Sequence, residues 1–474
     1  MIKSLSFGFL LVALNCLGET LTDTKGRSIE VEILKISPQE VEVRRADGVR
    51  FSIPLAQLSD PDRLRLKDRA DKPSNNPDSS PQKSETKIYK MLNDQLGIDL
   101  WSDENLWDDA PHDVAYRLGW PPESKTQTQS SFRLYYKKKS PIGGAIPHTA
   151  VLYGQNGRVD YISIMFANKG DSVTFDLLDN ERKALRAVNA AIDSDHEKLK
   201  ASLAMFGRPD RQSTGSGKAM KERILRWDVG NSSLLLAAVE DEYLALRIMP
   251  AELADQRGRP ERINTTQAKK MARANVQKND FGDVLIHNIP MVNQGPKGYC
   301  VPATLERCLR YMGIRADMYA LAMAGKTGLG GGTYVSDIIE GTSDFVRRAG
   351  RKMQNISGKA SVRDVKNFIE NGQPVLWTMY STNEYNLIAN AITRQRMKAN
   401  DVKLWKKTLN ELLKRSPKLK EDPDQSHICL VVGFNDATGE LAVSDSWGPD
   451  YELRWISEDE AQDISAGNFY VIDF

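Results

Sequence analysis

The stretch MVNQGPKGYCVPATLERCLRYMG, Met291 to Gly313, sets Cys300 six residues after Gln294 and at the mouth of a helical pattern. Pro302 suits a first helical turn, because it has no N–H to lose there. A helix N-terminus favours an anion, and the thiolate is the reactive form of cysteine. Cys300 is therefore a candidate nucleophile for acyl transfer. Cys308, two turns further in, lacks that help and reads as core. A nucleophile needs a base, and the C-terminal part of the chain holds two histidines, His287 and His427. His427 opens HICLVVGF, a long apolar strand of the rigid kind that holds a base. Asp445 ends the next strand, in ELAVSDSWG, eighteen residues after His427. Two antiparallel strands joined by NDATGE would set Asp445 beside His427, fixing the imidazole's tautomer and favouring its charged form.

Four motifs then stand in a fixed order, and together they resemble the papain-like cysteine peptidases, close to the bacteriocin-processing peptidase branch. NQGPKGYC is similar to the family's Asn-Gln-Gly…Cys segment, CVPA to the branch's Cys-Gly-Pro-Ala, HICLVVGF to the base-bearing strand, and DSWG to Asn-Ser-Trp-Gly. The resemblance implies a papain-like α+β domain over residues 283–474. It implies Cys300 as nucleophile, His427 as base and then acid, and Asp445 as the residue orienting His427. Gln294 would donate to the oxyanion together with the Cys300 N–H, and Trp447 would cover the His–Asp pair. Departures are Asp445 for papain's Asn, Val301 for a Trp or Gly, and the bulky Tyr299 before the nucleophile; they bear on substrate preference. The expected activity is that of a cysteine peptidase acting on a protein or peptide through a thioester, with no metal or organic cofactor. A transglutaminase- or deamidase-type acyl transferase on the same triad is the alternative, as is a non-catalytic binding protein that kept the fold.

Gly330, Gly331 and Gly332 lie in TGLGGGTYVSD, between helices. A phosphate loop would need a strand before the run and Lys-Ser/Thr after it, and both are missing. The run is expected to be a plain loop, or a cleft wall where bare backbone pairs with an extended peptide. Residues 383–422 read as an insertion before the His427 strand. There Trp405, Leu409, Leu412 and Leu413 share a helical face, and the rest is basic. The expectation is a helix packed on the domain, with a lid or a docking site for an acidic partner as the alternative.

The chain that must position these residues has 474 of them, more than one core usually serves. A multidomain α+β protein is expected. Charge is balanced, at 65 basic and 63 acidic residues, which argues against a nucleic-acid partner. Residues 1–18 read as a signal peptide: Lys3 is followed by a mostly apolar run, Leu5–Leu14, with small residues at Cys16 and Gly18. The run is too short to span a bilayer, so export to the periplasm or outside is expected, without stable membrane insertion. Three cysteines then remain, and at least one thiol is expected to be free.

Residues 19–69 alternate apolar and polar residues, with turns at Ser37-Pro38 and Asp47-Gly48. This pattern resembles the Sla-one homology domain, which implies a small SH3-like β-barrel and a possible protein partner for it. Residues 70–86, ADKPSNNPDSSPQKSET, read as a linker. Residues 87–256 read as an α+β domain with a hairpin at Asn156-Gly157; its histidines, His112, His148 and His196, have no ligand spacing, so no metal site is expected. Residues 257–282 read as a second linker. With both linkers upstream, the C-terminal domain is expected to fold alone.

Overall fold

The computed structural model describes residues 19–37, 39–45, 50–71, 80–103, 105–137, 140–173, 177 and 179–474. The expected signal peptide and the Asp47-Gly48 turn lie outside them. The chain forms two compact units, one to residue 82 and one from 83 to 474.

The first unit is an antiparallel sheet in the order Glu19–Thr22, Ser28–Ile36, Glu40–Arg45, Arg50–Pro54, followed by a helix over Asp60–Asp71. Alternation along the third strand buries Val41 and Val43 against Leu21, Val31, Leu58 and Leu66.

Two stretches that read as linkers carry regular elements. Residues 80–86 belong to a helix, Ser80–Leu96, in which Tyr89, Leu92 and Leu96 supply the buried stripe. Pro81 falls in its first turn, where proline is tolerated, so a Pro/Ser-rich composition concealed a helix start. Residues 257–282 carry a helix over Thr265–Ala274 and a strand over Val276–Lys278 that pairs with Asp283–Ile286. The Asn264 side chain caps that helix by accepting from the Gln267 N–H at 3.0 Å.

Two antiparallel sheets organise the second unit. The first runs Pro122–Lys125, Gln129–Tyr135, Thr149–Gln155, Arg158–Asn168, Tyr243–Pro250, Ser232–Val239, Glu222–Val229, Asp210–Thr214. The expected hairpin is present: Asn156 and Gly157 both have positive φ, 52° and 80°, as a tight two-residue turn requires. One face of this sheet packs against the helices Ser80–Leu96, Pro111–Leu118 and Glu181–Leu203.

The second sheet runs Val276–Lys278, Asp283–Ile286, Ser426–Asn435, Val375–Tyr380, Ser465–Asp473, Lys352–Ile356. Glu440–Ser444 branches from Ser426–Asn435 and carries Arg454–Ser457. The helix Cys300–Tyr311 packs on the Ser426–Asn435 strand.

The other face of the first sheet closes on this C-terminal part. Met165, Ile224, Leu235, Tyr243 and Ala245 share a core with Tyr299, Ala303, Met318, Tyr319 and Ala322. The C-terminal part is therefore not a separate compact unit: the helix that starts at Cys300 takes a second apolar cover from the middle sheet.

Candidate active site

Cys300 is the first residue of its helix and is half-buried. Cys308 and Cys429 are 1% and 0% exposed. Burial pushes the Cys308 thiol up to about 12 and the Cys429 thiol well above its ordinary value. Cys300 is thus the accessible thiol among the described residues.

The strand pairing brings His427 and Asp445 together as the sequence suggests. Leu430 faces Ser444 across the two strands, so the start of one lies beside the end of the other. His427 Nε2 donates to Asp445 Oδ1 at 2.9 Å. That leaves Nδ1 as the ring nitrogen for proton exchange. Burial would lower the His427 pKa, but the hydrogen bond to Asp445 and the interaction with the Cys300 sulfur outweigh it and raise it to about 9. His287, the other histidine of this part, has its backbone N–H on Asn275 O at 2.8 Å. Trp447 stacks on the His427 ring with centroids 4.6 Å apart and planes at 28°.

The second oxygen of Asp445 has a partner the sequence reading missed. Arg454 donates to Asp445 Oδ2 from Nη2 at 2.6 Å and from Nε at 3.2 Å. Its side chain is 2% exposed and that of Asp445 0%. Burial would push the Asp445 carboxyl up; the bonds from His427 and Arg454 outweigh it and hold it below its usual range. Arg454 is fixed in turn by the helix Asn383–Arg396, through Asn386 Oδ1 at 2.8 Å and Tyr385 OH at 3.2 Å. The segment expected as an insertion therefore reaches the site. A basic residue inside the short apolar strand RWIS was the available signal; its partner, nine residues away around a turn, was not legible.

Gln294 sits on the loop before Cys300. Its backbone N–H donates to Ser446 O at 2.8 Å, joining the nucleophile loop to the Asp-Ser-Trp segment. Its amide nitrogen donates one bond to Lys297 O at 3.3 Å, which leaves a second N–H.

The glycine run, read as a plain loop or a cleft wall, turns its backbone N–H groups inward. Gly330 N–H donates to Lys169 O at 3.3 Å, Gly331 N–H to Gly328 O at 3.1 Å and Gly332 N–H to Gly298 O at 2.8 Å. All three donors are spent inside the protein, so they do not offer themselves to a substrate strand. The bare backbone is needed for another reason. A Cβ on Gly331, where φ is +108°, would lie 2.4 Å from Gly298 N. The run braces the nucleophile loop by close backbone approach.

Residues 286–464 match the model of the Peptidase_C39 like family. Among solved structures the chain is similar to xylellain, a cysteine protease from Xylella fastidiosa, at 11% identity over 45% of this chain and 91% of that one, with a TM-score of 0.27. No curated protein matches the chain. The matched stretch carries Cys300, His427 and Asp445, and the family match supports a cysteine peptidase domain in the C-terminal part of this chain.

Proposed function

We propose that the protein is an exported cysteine peptidase acting through Cys300, His427 and Asp445. The observation that carries the reading is the relay at one helix mouth: Cys300 at the helix start, acting on a histidine whose far nitrogen is held by a buried carboxylate. Cys300 Sγ, as thiolate, attacks the carbonyl carbon of a peptide bond. The oxyanion receives the Cys300 backbone N–H and the second Gln294 Nε2 N–H. The proton on His427 Nδ1 passes to the leaving amine as the C–N bond breaks, giving a thioester. His427 then takes a proton from water, the hydroxide attacks the thioester, and the thiolate leaves as the acid product departs. Arg454 keeps Asp445 ionised through both steps, and Trp447 shields the His427–Asp445 bond.

The N-terminal unit is read as an SH3-like module of the Sla-one homology type that offers a surface to a protein partner. Residues 1–18 are read as its export signal, which N-terminal sequencing of secreted material tests by a start at Glu19.

Labelling with a thiol-directed epoxide at neutral pH, followed by peptide mapping, tests the nucleophile. Cys300 is expected to carry the label; a preference for Cys308 or Cys429 would sink the assignment. Mass spectrometry of treated protein substrates then reads the reaction. New termini are the expected result, and a one-dalton shift or a crosslink would assign deamidation or transamidation instead.

A further inference from the structure

The loop from Met291 to Tyr299 carries Gln294 and ends on Cys300, and the backbone on the N-terminal side of Gln294 is held by the other sheet. Met291 N–H donates to Ser124 Oγ at 2.9 Å, and Asn293 N–H to Glu123 Oε1 at 2.7 Å. Tyr135 OH donates to Asn293 O at 2.5 Å. Its ring also covers Gly295, where a Cβ would come within 2.8 Å of the ring and φ is +74°. These contacts bracket Gln294 on both sides.

The end of the loop is held as tightly. Tyr299, 2% exposed, passes over Gly170 and donates from its hydroxyl to Asn168 Oδ1 at 2.7 Å. A Cβ on Gly170 would sit 2.0 Å from that hydroxyl, so the turn must carry glycine for Tyr299 to dock. Asn168 Oδ1 also accepts from the Gly170 and Asp171 N–H groups, at 3.0 and 2.8 Å, which makes it a fixed anchor. The next residue of the same turn, Lys169, holds Gly330, and Gly332 holds Gly298. The nucleophile loop is thus gripped directly and through the glycine run.

We infer that the sheet of residues 122–250 is a positioning device for the nucleophile and oxyanion loop, with the Tyr135 and Tyr299 hydroxyls as its two pins. The inference rests on the peptidase reading and gives the middle of the chain a task in the same reaction. The pins bear on the backbone beside Gln294 and Cys300, so they set where the oxyanion donors stand. They act on turnover more than on the existence of the thiolate.

The test uses the full chain and four readouts: kcat and KM on a peptide, affinity for a peptide aldehyde, the rate of Cys300 alkylation by iodoacetamide, and Tm. An aldehyde adds the thiolate to its carbonyl and builds an oxyanion; alkylation builds none. For Tyr135→Phe, kcat and aldehyde affinity are expected to fall about tenfold, the worth of one hydrogen bond, with KM and alkylation nearly unchanged. Tyr299→Phe repeats the test at the other pin, should the first variant fold poorly. Arg315→Ala cuts an exposed two-bond contact from the loop after the Cys300 helix to Asp160 of the same sheet; it should lower Tm slightly and leave aldehyde affinity alone. Unchanged kcat and aldehyde affinity in both tyrosine variants overturns the inference. So does a fall in all rates in step with Tm, which a merely structural contact would give. A wild-type chain that labels at Cys300 but neither cleaves peptides nor binds the aldehyde overturns the peptidase reading, and this inference with it.

Discussion

The Cys300 side and the His427 side of this site, the proposed nucleophile and base, are fixed by different chemistry. Around Cys300 the holding groups on the loop are mostly neutral, hydroxyls of Tyr135, Tyr299 and Ser124, an Asn168 amide and close glycine backbone, with the buried Glu123 carboxylate as a charged exception. Around His427 they are charged: a buried carboxylate bonded to the imidazole on one side and a buried guanidinium on the other. A neutral hydrogen bond contributes about 1 kcal/mol, and losing one shifts geometry modestly. A broken buried ion pair leaves an uncompensated charge, at a cost of about 3–5 kcal/mol. The comparison teaches that the base side should fail abruptly under substitution and the nucleophile side by degrees.

Arg454→Met gives the largest expected effect. It strands Asp445 in a dry site, so stability should fall by about 3 kcal/mol or more. Asp445 is then no longer held on its second oxygen, so the His427 ring is less well fixed, and kcat/KM should drop about 100-fold, as for a misplaced catalytic group. The second change Asp445→Asn removes the stranded charge while keeping an acceptor for His427. Arg454→Met with Asp445→Asn should therefore be more stable and faster than Arg454→Met alone. Chemical denaturation and steady-state kinetics on the three proteins decide this. A single variant close to wild type would break the comparison.

That Arg454 was missed shows what a sequence of this kind conceals. Cys300, His427 and Asp445 were legible because each sits at a strand or helix end, and periodicity locates ends. The Asn156-Gly157 turn was legible because two positive φ values need those residue types. Interfaces were not. Tyr299 reads as a bulky neighbour of the nucleophile until Asn168, 131 residues upstream, is found beneath it. The boundary residues 257–282 read as linker because their helix buries little: Ala272 alone among its residues is buried. The glycine run reads as a plain loop or a cleft wall, and its partner, Gly298 of the same chain, is not legible beside it. In each case the missing fact was a long-range contact, which local composition does not encode.

The nucleophile side is not wholly neutral, and Glu306 sharpens the contrast. It lies on the Cys300 helix at 0% exposure and accepts from Tyr153 OH at 3.0 Å and Arg310 Nη1 at 3.5 Å. Burial pushes its carboxyl up to about 7, against the pull of Arg133 and Arg310. The folded chain then keeps a proton that the unfolded chain releases from about pH 4.5, so stability present at acid pH is lost as pH rises through about 7. Glu306→Gln keeps the shape and abolishes this titration. Urea unfolding should find the variant equal to wild type near pH 5 and more stable at pH 8, by about 1–3 kcal/mol. Parallel curves at both pH values would mean that the carboxylate is fully compensated and that this side too depends on charge.

Trp447 tests the base side with the smallest change. Its ring lies 4.6 Å from the His427 ring, nearly parallel, so its π face meets the imidazolium. Such a contact contributes about 1 kcal/mol, which corresponds to roughly half to one pH unit. The proposed mechanism requires a protonated His427 opposite the thiolate, and that proton is lost as pH rises through about 9. The alkaline limb of kcat/KM should fall there in the wild type. Trp447→Leu keeps an apolar cover and removes the π face. The imidazolium is then less stabilised, its pKa falls, and the limb should move to lower pH by roughly half to one unit. Trp447→Phe keeps a face and should leave the limb nearly in place. If the leucine variant moves the limb upward instead, the tryptophan serves His427 by excluding water rather than by its ring. The charged side of the site would then rest on Asp445, Arg454 and the thiolate alone.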